Sequence, residues 1–245
     1  MSGIPDWFHW LSISSLALAA LCAVAIAAHE IRTPQHMWIM NLVWPLVALF
    51  GSLIALWAYC RYGLLATHKA MAEAKKRKDR PPNERKPFAA SVAIATSHCG
   101  SGCALGDLIA EFLAVLFPAV TVWFGWQWLF AEKIFAVWVL DFILAFGFGI
   151  AFQYFTIAPM GGLGLRDGLI AALKADTLSL TAWQIGMYGL MAIAQFWLFR
   201  DVFGAKVDAT MPEFWFAMQI AMIAGFLTSY PVNWWLLRGG LKEKM

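Results

Sequence analysis

The densest chemistry in this chain lies in Ser97-His98-Cys99-Gly100-Ser101-Gly102-Cys103, where one imidazole and two thiols fall close together. Thiolate and imidazole suit soft or borderline metals such as Cu(I) and Zn(II). Gly100 and Gly102 let the backbone fold tightly around an ion. Cys103, Asp107 and Glu111 stand four apart. On a helix these positions share one face. The reading is a copper or zinc site held by His98, Cys99 and Cys103, with Asp107 and Glu111 passing the ion or its compensating protons. Cys103 is expected at a helix start, where the dipole favours thiolate. A purely structural account is also available: the glycines permit close packing, and His98 is a hydrogen-bonded interfacial residue. The C-x3-C spacing differs from the C-x2-C of common zinc modules. Carboxylates in an apolar span are costly and usually serve a purpose, which favours a functional site.

Other polar residues extend the candidate path. Asp141 is read either as a proton or cation relay or as a partner of Arg200 or Lys133. Gln153 and Asn233 are placed to complete a cluster with Asp107 and Glu111. Their bland alternative is interhelical hydrogen bonding, worth about 1 kcal/mol or less. Met187 and Met191, and Met218 and Met222, are pairs four apart whose thioethers could give secondary metal contacts. Packing is the commoner use of Met. His29 and His36 bracket an expected outer loop. Gly161, Gly162 and Gly164 have no preceding strand and no following G-K-[ST], so no phosphate loop is expected. No Ser-His-Asp arrangement or H-E-x-x-H motif is present, and the reading leaves enzyme activity open while leaning to a non-enzyme.

The elements that must position these residues follow from composition. Of 245 residues, 61% are hydrophobic and 13% are charged. A soluble domain carries about 25% charged residues. The fold class expected is all-α, a polytopic membrane helix bundle of six transmembrane helices. A span needs about 20 apolar residues, and Trp10–Ala28 and Met37–Tyr59 supply the first two. Residues 88–98 are read as an interfacial or re-entrant segment, 99–102 as a turn, and 103–130 as a long third helix kinked at Pro118. Ile134–Ala158 is the fourth span. An amphipathic surface helix over 163–180 follows, then spans Leu180–Phe199 and Pro212–Leu237. The parts are a two-helix segment (1–60), a basic cytoplasmic loop (61–87) and a four-helix domain (88–245). The first span is read as retained rather than as a removed signal peptide.

Nine of the eighteen Lys and Arg lie between Arg61 and Lys86. The loop lacks interleaved aromatics, so nucleic acid is not an expected partner. Placing it in the cytoplasm puts both termini inside and leaves only Arg32, Lys133, Arg200 and Lys206 outside, as the positive-inside rule asks. The expected location is a bacterial inner membrane, multi-pass, with the lipid bilayer as partner.

His98-Cys99-Gly100-x-Gly102-Cys103-x-Leu105-Gly106-Asp107 resembles the signature of a bacterial membrane-protein family of unknown function. Further matching segments are Phe152–Phe155, Ala171–Ser179 and Thr228–Trp235, within roughly residues 97–237. Some relatives carry copper-related names, so the resemblance implies a link to copper. The leading functional reading is binding or translocation of a soft metal ion. The alternatives are a non-catalytic subunit of a larger membrane complex and a membrane thiol redox protein.

Overall fold

A computed structural model of the chain describes residues 3–242, apart from the side chain of Met160. It is all-helical, with no strand among the described residues. The long elements are α1 (Asp6–Arg32), α2 (Met40–Tyr62), α4 (Phe88–Leu116), α6 (Lys133–Gly161), α7 (Leu165–Ala192) and α8 (Pro212–Arg238). Two short helices, α3 (His68–Arg77) and α5 (Ala119–Trp123), lie in the connections. Five segments are long and apolar enough to cross a membrane: α1, α2 with the turn after it, α4, α6 and α8.

Length and composition do not decide the course of α2. At Ser52 the backbone takes φ 44° and ψ −123°, and the helix turns back on itself. A straight helix would hold Trp44 and Tyr59 roughly 22 Å apart. Their ring centroids are instead 5.5 Å apart. His36 N–H donates to Ala66 C=O at 2.8 Å, and His68 N–H donates to Pro34 C=O at 3.0 Å. The two ends of α2 therefore meet at one end of the bundle. The tip reaches its interior, where Gln219 Nε2 donates to Leu49 C=O at 2.6 Å and Phe50 packs edge-on against Trp183. A broken helix exposes backbone polar groups that need new partners, and Gln219 supplies one of them.

The stretch 88–130 also departs from expectation. The Gly100-Ser101-Gly102 triplet is not a turn, because α4 runs unbroken through it from Phe88 to Leu116. These glycines serve helix contact. A Cβ at Gly100 would strike the Trp183 ring, one at Gly102 would come within 2.7 Å of the Gly149 backbone, and one at Gly106 would strike the Ala145 backbone. Small residues let membrane helices approach closely, and here they join α4 to α6 and α7. The break falls later, at Phe117 and Pro118. Cys103 accordingly sits mid-helix, away from any helix dipole end.

The surface helix and fifth span are one element. α7 continues from Ala192 into a π-helical stretch, Ile193–Val202, without a turn between 165 and 202. Phe8 contacts Phe199 and Phe203, His9 pairs with Glu213, and Lys133 donates to Ala114 C=O at one end of the bundle. Trp38 contacts Phe155, Phe88 contacts Trp234, and Gly168 abuts Tyr154 at the other. The helices α1, α4, α6, α7 and α8 run end to end, and α2 does not. The described chain thus begins and finishes at opposite ends, so the expectation of both termini on one side fails with the folding back of α2. Among the described residues, every Lys and Arg except Lys133, Arg200 and Lys206 lies at the end that holds α3. That end is called the basic end below.

Candidate functional site

α4 carries the site because it is lined by small residues and wrapped by four other helices. Cys99, Cys103, Asp107 and Glu111 are all buried. At 1.5 Å per residue the four span roughly 18 Å along the bundle. Neighbouring helices add polar groups at the levels of Cys99, Asp107 and Glu111.

Nearest the basic end, Cys99 stands in a dry cluster. Its thiol donates to Asp176 Oδ1 on α7 at 2.7 Å. Lys242, in the tail after α8, donates from Nζ to Asp176 Oδ1 at 2.6 Å, to Cys99 Sγ at 2.9 Å and to Asn233 Oδ1 at 2.9 Å. Asn233 Nδ2 donates to Ser179 Oγ at 2.6 Å and to Ser229 Oγ at 3.0 Å. The Asp176 and Lys242 side chains are both 0% exposed. Burial alone would lower the ammonium pKa of Lys242. The Asp176 carboxylate and the Cys99 sulfur outweigh it together and hold that pKa above the ordinary lysine value.

His98, Cys99 and Cys103 do not share one centre. His98 turns towards α6, where its Nε2 lies 3.0 Å from Thr156 Oγ1, and its Nδ1 has no hydrogen-bond partner. Among the described residues no group of three or more His, Cys, Asp or Glu side chains could hold a metal ion. The reason is helical geometry: adjacent residues such as 98 and 99 point about 100° apart, and a tight loop here would be needed to bring them together.

The middle level is acidic. Asp107 on α4 faces Asp141 on α6. Tyr188 on α7 donates to Asp141 Oδ2 at 2.7 Å and to Trp138 C=O at 3.1 Å. Asp107 also lines a cavity of about 290 Å³ beside the tip of α2, with Leu49, Phe50, Met218, Gln219 and Met222. Asp141 pairs with neither Arg200 nor Lys133: Arg200 binds Glu132 at 2.7 Å, and Lys133 donates to Ala114 C=O at 2.9 Å. At the far end Glu111 lines a cavity of about 430 Å³ with Glu132, Lys133, Arg200, Lys206 and Asp208.

The remaining candidates divide. Asn233 joins the Cys99 level and not Asp107. Gln153, buried and with Oε1 unpartnered, lies twelve residues past Asp141 towards the basic end of α6, so it is also remote from the acidic pair. Met187, Met191, Met218 and Met222 are all buried in the main core, and the last two border the cavity at Asp107. His29 and His36 sit at the basic end, where His29 Nδ1 lies 2.8 Å from Tyr59 Oη and His36 Nδ1 lies 3.4 Å from His68 Nδ1.

Sequence reasoning missed Asp176, Lys242, Ser179, Ser229 and Tyr188 as site residues. Asp176 had the same signal as Asp107, a carboxylate among apolar residues, but was placed on a surface helix. Lys242 had no signal at all.

A family model described as a domain of unknown function, DUF4396, matches residues 90–242. The chain belongs to the DUF4396 family. Comparison with curated proteins and with solved structures gives no match. The DUF4396 region begins within α4 and ends at Lys242, so it includes every ionisable side chain of the Cys99, Asp107 and Glu111 levels. α1, α2 and α3 lie outside it.

Proposed function

We propose that this DUF4396 protein moves a small cation, a proton in the simplest case, across a bacterial inner membrane along the buried face of α4. The observation that carries the reading is the line of ionisable side chains in the bundle: Cys99 with Asp176, Cys103, Asp107 with Asp141, and Glu111. Intramembrane carboxylates are expensive to bury and mark ion or proton paths. The tip of α2 supports the reading too, since irregular backbone at membrane depth is tolerated where it is covered by protein or lines a cavity. In this reading α1, α4, α6, α7 and α8 are the crossings, and α2 is re-entrant. The positive-inside rule then puts the basic end in the cytoplasm and the start of α1 outside.

In proteoliposomes containing a pH-sensitive dye, the wild-type chain should collapse an imposed pH gradient. Asp107→Asn should slow the collapse by at least tenfold. Equal rates for wild type, Asp107→Asn and protein-free vesicles would overturn the reading.

A second reading keeps copper as cargo. Met218 and Met222 border the same cavity as Asp107, and Cys103 lies one helical turn from it. Thioether and thiol donors suit Cu(I). Purified protein would then hold near-stoichiometric copper that Cys103→Ser removes. Equal copper in the two proteins counts against this reading.

A further inference from the structure

The Lys242 ammonium is held as a bound ligand would be. Its acceptors come from three separate helices: Cys99 on α4, Asp176 on α7 and Asn233 on α8. All three side chains are fully buried, and Asp176 Oδ2 has no partner. The occupant arrives on a different kind of support. After Arg238 the chain turns through Gly239 and Gly240, with φ +70° at Gly240, and Leu241 is 56% exposed. Leu236 C=O accepts from both Leu241 N–H and Lys242 N–H. The acceptors are thus set by packed helices, and the ammonium hangs on a short tail with a glycine hinge.

We propose that Cys99, Asp176 and Asn233 form a binding site for ammonium or a primary alkylammonium ion at the basic-end mouth of the path, with Lys242 as its tethered occupant. The chemistry has two parts. With Lys242 withdrawn, Asp176 is a buried carboxylate without a counter-charge, a strongly unfavourable state. The site is then relieved by a replacement cation or by a proton on Asp176. A primary ammonium has three N–H donors, and the site offers three acceptors to one nitrogen. A quaternary ammonium carries equal charge and has no donor, so it does not satisfy them. Asn233 is itself fixed by Ser179 and Ser229, which keeps its carbonyl oxygen turned to the cation. The assignment deepens the cation path by naming the group that blocks its inner mouth, and it rests on that reading only for what the site does in transport.

The test uses the full chain purified in detergent. Lys242→Ala and Lys242→Met should melt several degrees below wild type. Ammonium chloride or methylammonium chloride should restore the melting temperature in a dose-dependent, saturating way. Tetramethylammonium chloride at the same ionic strength should not, and wild type should respond to none of them. Adding Asp176→Asn should abolish the response. Where a Lys242 variant is recovered only as aggregate, extraction in ammonium chloride should recover it folded. No rescue by ammonium, or equal rescue by tetramethylammonium, overturns the proposal. The readout involves no transport: rescue without gradient collapse in proteoliposomes leaves the site standing and removes the proton path. Gradient collapse without rescue does the reverse.

Discussion

At the scale of single residues, the Asp176–Lys242 pair is the most consequential contact in the bundle. Both side chains are fully buried, and their charges meet at 2.6 Å. Removing one partner of a buried pair costs about 3–5 kcal/mol, because the other is left charged and dry. Replacing both costs much less. Asp176→Asn and Lys242→Met should each lower the unfolding midpoint in detergent, and the double variant should be more stable than the sum of the two losses allows. Strict additivity in that cycle would show that the two groups are not coupled. The pH dependence has a definite sign. Lys242 binds its proton more tightly in the folded state than in the unfolded one, so its contribution is complete below the ordinary lysine range. It is lost only as pH rises through the higher folded value. Between pH 6 and 9 the stability difference between wild type and the Asp176→Asn, Lys242→Met double variant should stay constant.

At the scale of elements, two sequence features have effects that differ from their usual ones. Gly100 and Gly102 read as a turn, yet with Gly106 they form the seam along which α4 meets α6 and α7. A larger residue at Gly102 or Gly106 overpacks against backbone, which cannot move aside as a flexible side chain can, and one at Gly100 meets the buried Trp183 ring. Overpacking costs about 1–3 kcal/mol or more. Gly106→Leu should therefore lower thermal stability by several degrees, whereas Gly147→Ala, with open space around its Cβ position, should change it little. Ser52 is the second feature. No local signal marks it as a turn, but its positive φ is costly for any residue with a Cβ. Strain of this kind is worth about 1–3 kcal/mol. Ser52→Gly should raise the melting temperature and Ser52→Val should lower it. A gain from Ser52→Val would mean that α2 runs straight.

For the whole molecule, the folding back of α2 reverses the relation between the chain ends. Counting α2 as a crossing puts both ends on one side. With α2 re-entrant, the start of α1 and the end of α8 lie apart, and the charge asymmetry becomes stronger: among the described residues only Lys133, Arg200 and Lys206 remain at the far end. In a Cys60→Ser background, Asp208→Cys should react with a membrane-impermeant maleimide in intact cells. Lys78→Cys should react only after the cells are opened. The opposite pattern would invert the proposed orientation.

Much of this was legible in the sequence. Composition established an all-helical bundle with membrane-length apolar helices, because apolar runs of this length have few other uses. The spacing of Cys103, Asp107 and Glu111 placed three ionisable groups on one face, because a helix repeats every 3.6 residues, and Cys99 joins them only because α4 runs through the expected turn. The segments matching the resemblance, Ala171–Ser179 and Thr228–Trp235, turn out to supply Asp176, Ser179, Ser229 and Asn233. What those side chains meet was settled by tertiary structure alone. That α2 turns back at Ser52, that His98 faces Thr156, and that Lys242 returns to Asp176 are all contacts between residues far apart in the chain. Local periodicity determines which face a residue occupies. It says nothing about which helix covers that face, and here the covering helices set the expected His-Cys-Cys residues in a line of buried ionisable side chains that ends at a lysine.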